Sequence, residues 1–167
     1  PNGQVQQVGA GAAAPCTYDA DHCPHGTHVA GIAASVAKEA NLIAVQVFSK
    51  NFGLASSLKS DQLSALEWLH TTYGNPDSKL AAVNLSLGSG KYATACDGDA
   101  RQKAMANLRS VGIATIVSSG NDGYSDGIAA PACISSAISV GATDKTDTLW
   151  ASSNSASQLN LLAPGVD

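Results

Sequence analysis

The chain has 167 residues, 44% hydrophobic and 13% charged, with a net charge of −4. That length fits one domain with a sizeable core. A charge content near half of the roughly 25% usual in globular domains excludes a charge-rich disordered tail and a long solvated coiled coil. Lys plus Arg is 9 against 13 for Asp plus Glu, so there is no basic stripe for nucleic acid, and no apolar run reaches the roughly 18–20 residues that cross a bilayer.

Residues 1–24 are rich in Gly, Ala, Pro and Gln, show no period and read as a loop-rich lead-in. They lack the charged start and apolar centre of a signal peptide. Val29, Ile32, Ala33 and Val36 then fall at i, i+3, i+4 and i+7, one face of a helix. LIAVQVF (42–48) is a short apolar run and reads as a strand. Asp61 precedes Leu63, Leu66 and Leu69 in a helix reaching about Tyr73, with Asp61 as its cap or in its first turn. GNPD (74–77) is a turn signal.

The order then repeats. AAVNL (81–85) reads as a strand and SGKYATACDGD (89–99) as a loop. Ala100, Ala104, Leu108 and Val111 form a helical stripe that Gly112 stops. IATIV (113–117), AISVGA (137–142) and LNLL (159–162) read as further strands, with the polar loop SSGNDGYSDG after the first of them. Alternating strands and helices imply an α/β fold, a parallel sheet with right-handed crossovers and helices on both faces. Apolar runs without alternation suit strands buried on both sides. Chemistry in such sheets sits at the carboxyl ends of the strands. The segments of interest are therefore SLGSG after AAVNL and SSGNDG after IATIV.

Four cysteines, Cys16, Cys23, Cys96 and Cys133, suit two disulfides in an oxidising compartment, against four reduced buried thiols in a cytosolic protein. Their loop positions predict Cys16 with Cys23 and Cys96 with Cys133. Cys16, Cys23, His25 and His28 also raise a zinc module. Their Cys-x6-Cys-x-His-x2-His spacing matches no common structural zinc pattern, where two ligand pairs are separated by a longer arm. A third reading of the cluster is a catalytic base. HGTHVAG places His25 at a helix entrance and His28 about one turn inside, with small neighbours that let the helix run through a crowded centre.

HGTHVAG resembles the histidine motif of the subtilisin-like serine peptidases. AVNLSLGSG resembles the strand and loop lining their substrate cleft, IVSSGNDG their oxyanion-hole segment, and ISVGATDKTDTLWASSNSASQLNLLAPG the stretch leading toward the nucleophile. The four stand in family order from about residue 22 to 167. The resemblance implies a three-layer parallel-sheet α/β fold and secreted serine endopeptidase activity on a polypeptide substrate. By matching position, His25 is the general base and Asn121 the side-chain donor to the oxyanion. Ser86, Leu87 and Gly88 form one edge of the cleft; Ser118, Ser119 and Gly120 form the facing edge and a wall of the main specificity pocket.

The family's Gly-Thr-Ser nucleophile motif does not occur in these residues, and Asp19 and Asp21, the only acidic residues ahead of His25, lack the apolar strand of the family aspartate. Residues 1–167 are therefore expected to be a partial peptidase domain, with 25–167 its central part, truncated and inactive alone. A non-catalytic peptide-binding module or pseudoenzyme is the competing expectation, and the zinc module a distant one. No cofactor is expected; calcium stays open but is not supported by this sequence. The loop that binds calcium in many members looks deleted after Ala34, and Asn160 offers only a neutral ligand where some members have an Asp. Nothing in the sequence sets the oligomeric state or the substrate preference. Asn121 keeps a purely structural alternative, because Gly-Asn-Asp-Gly is also a good turn sequence.

Overall fold

The computed structural model describes residues 23–51 and 54–166. The chain divides into two compact units, 1–65 and 66–167. The first holds α1 (His25–Val36), the antiparallel pair β1 (Ser49–Asn51) and β2 (Leu54–Ser56), and the start of α2 (Lys59–Tyr73). The second holds the rest of α2, then β3 (Ala82–Leu85), β4 (Ser89–Tyr92), α3 (Gln102–Ser110), β5 (Ala114–Ser118), β6 (Ile128–Ala130), β7 (Ile138–Thr143) and β8 (Leu161–Pro164).

In the first unit, α1 begins at His25, where HGTHVAG sets it, and the His28 N–H donates to the Pro24 carbonyl at 3.0 Å. None of its residues is buried. Ile32 is 55% and Val36 82% exposed, so the described residues do not cover the apolar stripe. The strand expected over 42–48 does not form. A strand exists through a neighbour's hydrogen-bonding ladder, and no described segment pairs with this run, which leaves Leu42, Ile43 and Val45 exposed. In α2, Asp61 lies in the first turn, while Leu66 and Leu69 are buried, as their spacing predicts.

The second unit is built on a four-stranded sheet of order β3-β5-β7-β8, parallel at every step. The apolar runs around 81–85, 113–117 and 137–142 all become its strands. α3 links β3 to β5 and buries Ala104, Met105 and Leu108. It ends as the glycine predicts. Gly112 has φ +82°, its N–H donates to Arg109 O at 3.1 Å, and the Ile113 N–H donates to Leu108 O at 3.0 Å, which satisfies two terminal carbonyls. Val111, assigned to the apolar stripe, is 41% exposed because the chain has left the helix there.

Burial along β5 and β7 alternates, contrary to the two-sided burial expected from their composition. Thr115, Val117 and Ser139 are buried, whereas Ile116 and Val140 on the other face are only partly so. Two short elements were not expected from the sequence, β4 in a segment read as loop and β6 in one given no element. β4 and β6 pair antiparallel, Ser89 with Ala130 and Tyr92 with Ile128. Neither has a period-two pattern long enough to betray a strand.

The loop after β4 is tied to the segment after β6. Cys96 and Cys133 form the disulfide that their positions predict, and the Cys96 N–H donates to Cys133 O at 3.0 Å. Cys16 lies outside the described residues, so the Cys16–Cys23 pairing does too. Arg101 makes an ion pair with Asp99 at 2.7 Å, with both side chains nearly excluded from solvent. The Asp97 carboxylate accepts from Ser135 N and Ser135 Oγ, each at 2.8 Å.

Those two bonds, the backbone one foremost, hold the Asp97 carboxyl below its ordinary pKa of 3.8. A carboxyl depressed on folding contributes stability above its unfolded pKa and loses it as pH falls through the folded value. Asp97→Ala should therefore lower the thermal midpoint at neutral pH. The gap to wild type should close in acid, below the ordinary carboxylate range. Melting curves across pH check this; a gap that stays constant into acid would contradict it.

Candidate active site

Neighbouring strands β3 and β5 run parallel, with Leu85 opposite Val117. Their carboxyl ends therefore release two segments side by side, Ser86–Leu87–Gly88 from β3 and Ser118–Ser119–Gly120–Asn121 from β5. Ser86 and Leu87 are half-buried and Gly88 is exposed. Ser86 Oγ accepts from Asn84 Nδ2 at 3.0 Å. On the facing segment the strand alternation persists. Ser118 is half-buried, while Ser119 is 2% exposed and turned into the core.

Ala129, on β6, joins the two segments. A Cβ on Gly88 would come 3.1 Å from the Ala129 methyl, and a Cβ on Gly120 would come 3.2 Å from it. Gly88, Gly120 and Ala129 therefore crowd one region where neither glycine position has free room for a Cβ. The Ala129 N–H fixes this approach by donating to Ser119 O at 2.8 Å. Farther out, Lys91 Nζ pairs with Asp126 Oδ1 at 2.6 Å and lies 4.8 Å from the centre of the Tyr124 ring. The Lys91 hydrogen bond is the main cause holding the Asp126 carboxyl below its usual value.

Asn121 is exposed, and its side chain makes no hydrogen bond among the described residues. It does not brace its own turn. That work falls to Asn154, from the loop after β7, which is fully buried. Its Oδ1 accepts from Asp122 N at 2.9 Å and Tyr124 N at 3.1 Å. Its Nδ2 donates to Ser119 O and to Asp122 Oδ2, each at 3.2 Å. Its backbone N–H donates to Gly120 O at 2.9 Å. The side chain thus fills both donor and both acceptor positions of a carboxamide.

Gly120 makes this possible. Its φ is +108°, and a Cβ there would collide with Asn154 Nδ2. Sequence reading missed Asn154 and Ala129. Neither sits in a motif of its own, and Asn154 reaches its partners across about 30 residues of chain. His25, at the start of α1, is exposed and belongs to the first unit. Among the described residues no group of three His, Cys, Asp or Glu side chains is arranged to hold a metal ion, and no helix is long and apolar enough to cross a membrane.

An α/β unit with two loops leaving adjacent parallel strand ends is the arrangement that the motif order implied, and comparison with known proteins gives its family. Residues 10–167 match the sequence model of the subtilase family, and the chain belongs to that family. It is 38% identical over 154 residues to Proteinase T of Parengyodontium album, an alignment covering 89% of this chain and 50% of that protein. It is 36% identical over 158 residues to Subtilisin-like protease 3 of Pseudogymnoascus destructans, covering 92% and 37%.

Among solved structures, a cold adapted subtilisin-like serine proteinase aligns with a TM-score of 0.60 at 28% identity, over 78% of this chain and 43% of that one. A lanthipeptide protease aligns with a TM-score of 0.66 at 21% identity, over 84% and 43%, and shares the fold. The fold is therefore subtilisin-like α/β. The chain spans between 35% and 50% of the length of the first curated relatives it matches.

Gly120→Ala should destabilise the second unit. The strained backbone alone costs roughly 1–3 kcal/mol, and displacement of the Asn154 amide adds to it. Denaturant titration of the purified chain measures the loss; unchanged stability would show that the loop does not depend on this contact.

Proposed function

We propose that these residues are the central part of the catalytic domain of a secreted serine endopeptidase, acting on polypeptides. One observation carries the reading of the site. Asn121 presents an unengaged carboxamide at the end of β5, while another residue does the work of holding its turn. An amide that only shaped a turn would bond to its own loop. One left free, on a loop whose flanking peptide groups are held by another residue, suits a donor for a developing charge.

In this reading His25 takes the proton of a serine nucleophile as it attacks the peptide carbonyl and returns it to the leaving amine. The Asn121 Nδ2 donates to the oxygen that becomes negative, without bringing a charge of its own. Ser86, Leu87 and Gly88 line one edge of an extended peptide. Ser118 and Gly120 line the other, and Ser119 contributes through its buried backbone. Gly88, Gly120 and Ala129 form a wall of small residues for the substrate side chain before the scissile bond. Family membership and a relative named Extracellular serine proteinase, from a Thermus species, support a secreted peptidase.

The site is proposed to work without a cofactor. Asn160, the candidate calcium ligand, already uses its carboxamide oxygen to accept from Ser139 N at 2.8 Å and Ser139 Oγ at 2.9 Å. With both lone pairs engaged, it does not fit a cation site.

Two measurements test the proposal. No Gly-Thr-Ser motif lies within these 167 residues, so the purified chain should stay unlabelled by a fluorophosphonate probe while the full-length enzyme is labelled. Labelling of the 167-residue chain would place a reactive serine within it. Failure to label the full-length protein would favour a non-catalytic peptide-binding role. In the full-length enzyme, Asn121→Leu keeps similar bulk and removes the donor. The expected loss is roughly 100- to 1,000-fold in kcat, the magnitude known for such a donor in a subtilisin, with little change in KM or melting temperature. Wild-type kcat in a folded variant would refute the role.

A further inference from the structure

We infer that Asn154 is a positioning residue for catalysis, fixing the Asn121 amide in place before the substrate arrives. This rests on the reading of Asn121 as the oxyanion donor. The bonds made by Asn154 fall on both sides of Asn121 and leave Asn121 itself untouched. Before it, Ser119 O and Gly120 O accept from the Asn154 side chain and backbone. After it, the N–H groups of Asp122 and Tyr124 donate to Asn154 Oδ1, and the Asp122 carboxylate accepts from Nδ2. One fully buried side chain thus orients the peptide groups that flank the donor.

The chemistry of the position points to Asn. The site needs two donors and two acceptors on one planar neutral group. A carboxylate would supply acceptors only and would face the Asp122 carboxylate at close range. An aliphatic side chain would leave the Asp122 and Tyr124 N–H groups without this partner. Gly120 completes the fit, since any Cβ there would occupy the place of the Asn154 amide. The clamp also comes from outside the loop it holds, from the segment after β7, so the loop cannot relax by local rearrangement alone. A hydrogen-bond donor aimed at a transition-state charge is effective when its orientation is set in advance, and small displacements of such groups are costly to rate.

A purely structural Asn154 would affect stability and nothing else, so the decisive experiment is a double-mutant cycle in the full-length enzyme. The variants are Asn154→Ala, Asn121→Leu and the pair, assayed for kcat and KM on a peptide substrate at a temperature where melting curves show each variant folded. If Asn154 acts through Asn121, Asn154→Ala should lower kcat by roughly 10- to 100-fold with KM little changed. The double variant should then be no slower than Asn121→Leu alone. Unchanged kcat in folded Asn154→Ala, or a double variant whose loss is the product of the two single losses, overturns the inference while leaving the oxyanion reading intact. Unchanged kcat in Asn121→Leu overturns both.

Should Asn154→Ala fail to fold, Asn154→Asp takes its place in the same cycle. It keeps the volume and the two accepting bonds, removes the donors and, while ionised, sets a second negative charge against the Asp122 carboxylate. Its kcat relative to wild type should rise as pH falls and the introduced carboxyl gains a proton to donate. A ratio that stays flat with pH overturns the inference.

Discussion

A buried carboxamide cannot be left half-bonded, because each unpaired polar group away from water costs on the order of 1–3 kcal/mol. Asn154 meets that demand by taking all its partners from one loop, and the loop in turn takes its shape from Asn154. Much of the second unit is arranged to bring the two together. β5 and β7 run side by side, with Ser119 N–H donating to Val140 O at 2.9 Å where the loop departs. The chain after β7 then returns through Trp150 and Ser153 to place Asn154 beneath the same loop. The Ser153 hydroxyl accepts from the Ala142 N–H at 2.9 Å, anchoring the return on β7 itself.

This constraint explains the small residues around the site better than composition does. Gly120 is required twice, by its positive φ and by the amide that occupies its missing side chain's place. Gly123, with φ +69°, would bring a Cβ within 2.8 Å of the Ala151 carbonyl, so the far side of the loop also closes against the segment before Asn154. Gly88 and Ala129 are small for a different reason. The missing side chain of Gly88 and the short one of Ala129 let the segment after β3 and the segment after β5 both lie close against β6. In the proposed cleft Ser119, whose side chain is buried, would contribute through its backbone.

The sheet was legible in the sequence because its signal is local. Short apolar runs at 81–85, 113–117 and 137–142, separated by a helical stripe and a stopping glycine, are enough to give parallel strands. The positions of SLG and GN at strand ends follow from that order. Three things were not legible. β4 and β6 are three or four residues long and exist through each other, so neither has a pattern to read alone. The run at 42–48 has the pattern and lacks the neighbour. Asn154 lies in a Ser- and Asn-rich stretch that reads as loop, and its role depends on contacts 30 to 35 residues away in sequence. Local propensity registers none of these, since each is decided by what lies beside the segment in space.

The uneven burial of the sheet bears on how the site works as a unit. On one face Thr115, Val117 and Ser139 are sealed, while on the other Ile116 and Val140 keep partial exposure. The loop after β5 is nevertheless tied to Asn154 by hydrogen bonds, and Lys91 adds an ion pair to Asp126 and a position over the Tyr124 ring. The backbone on either side of Asn121 is thus held by polar contacts that are distinct from the apolar core. On the proposed reading of Asn121 as the oxyanion donor, the backbone that carries the donor is set by these polar contacts before a substrate binds.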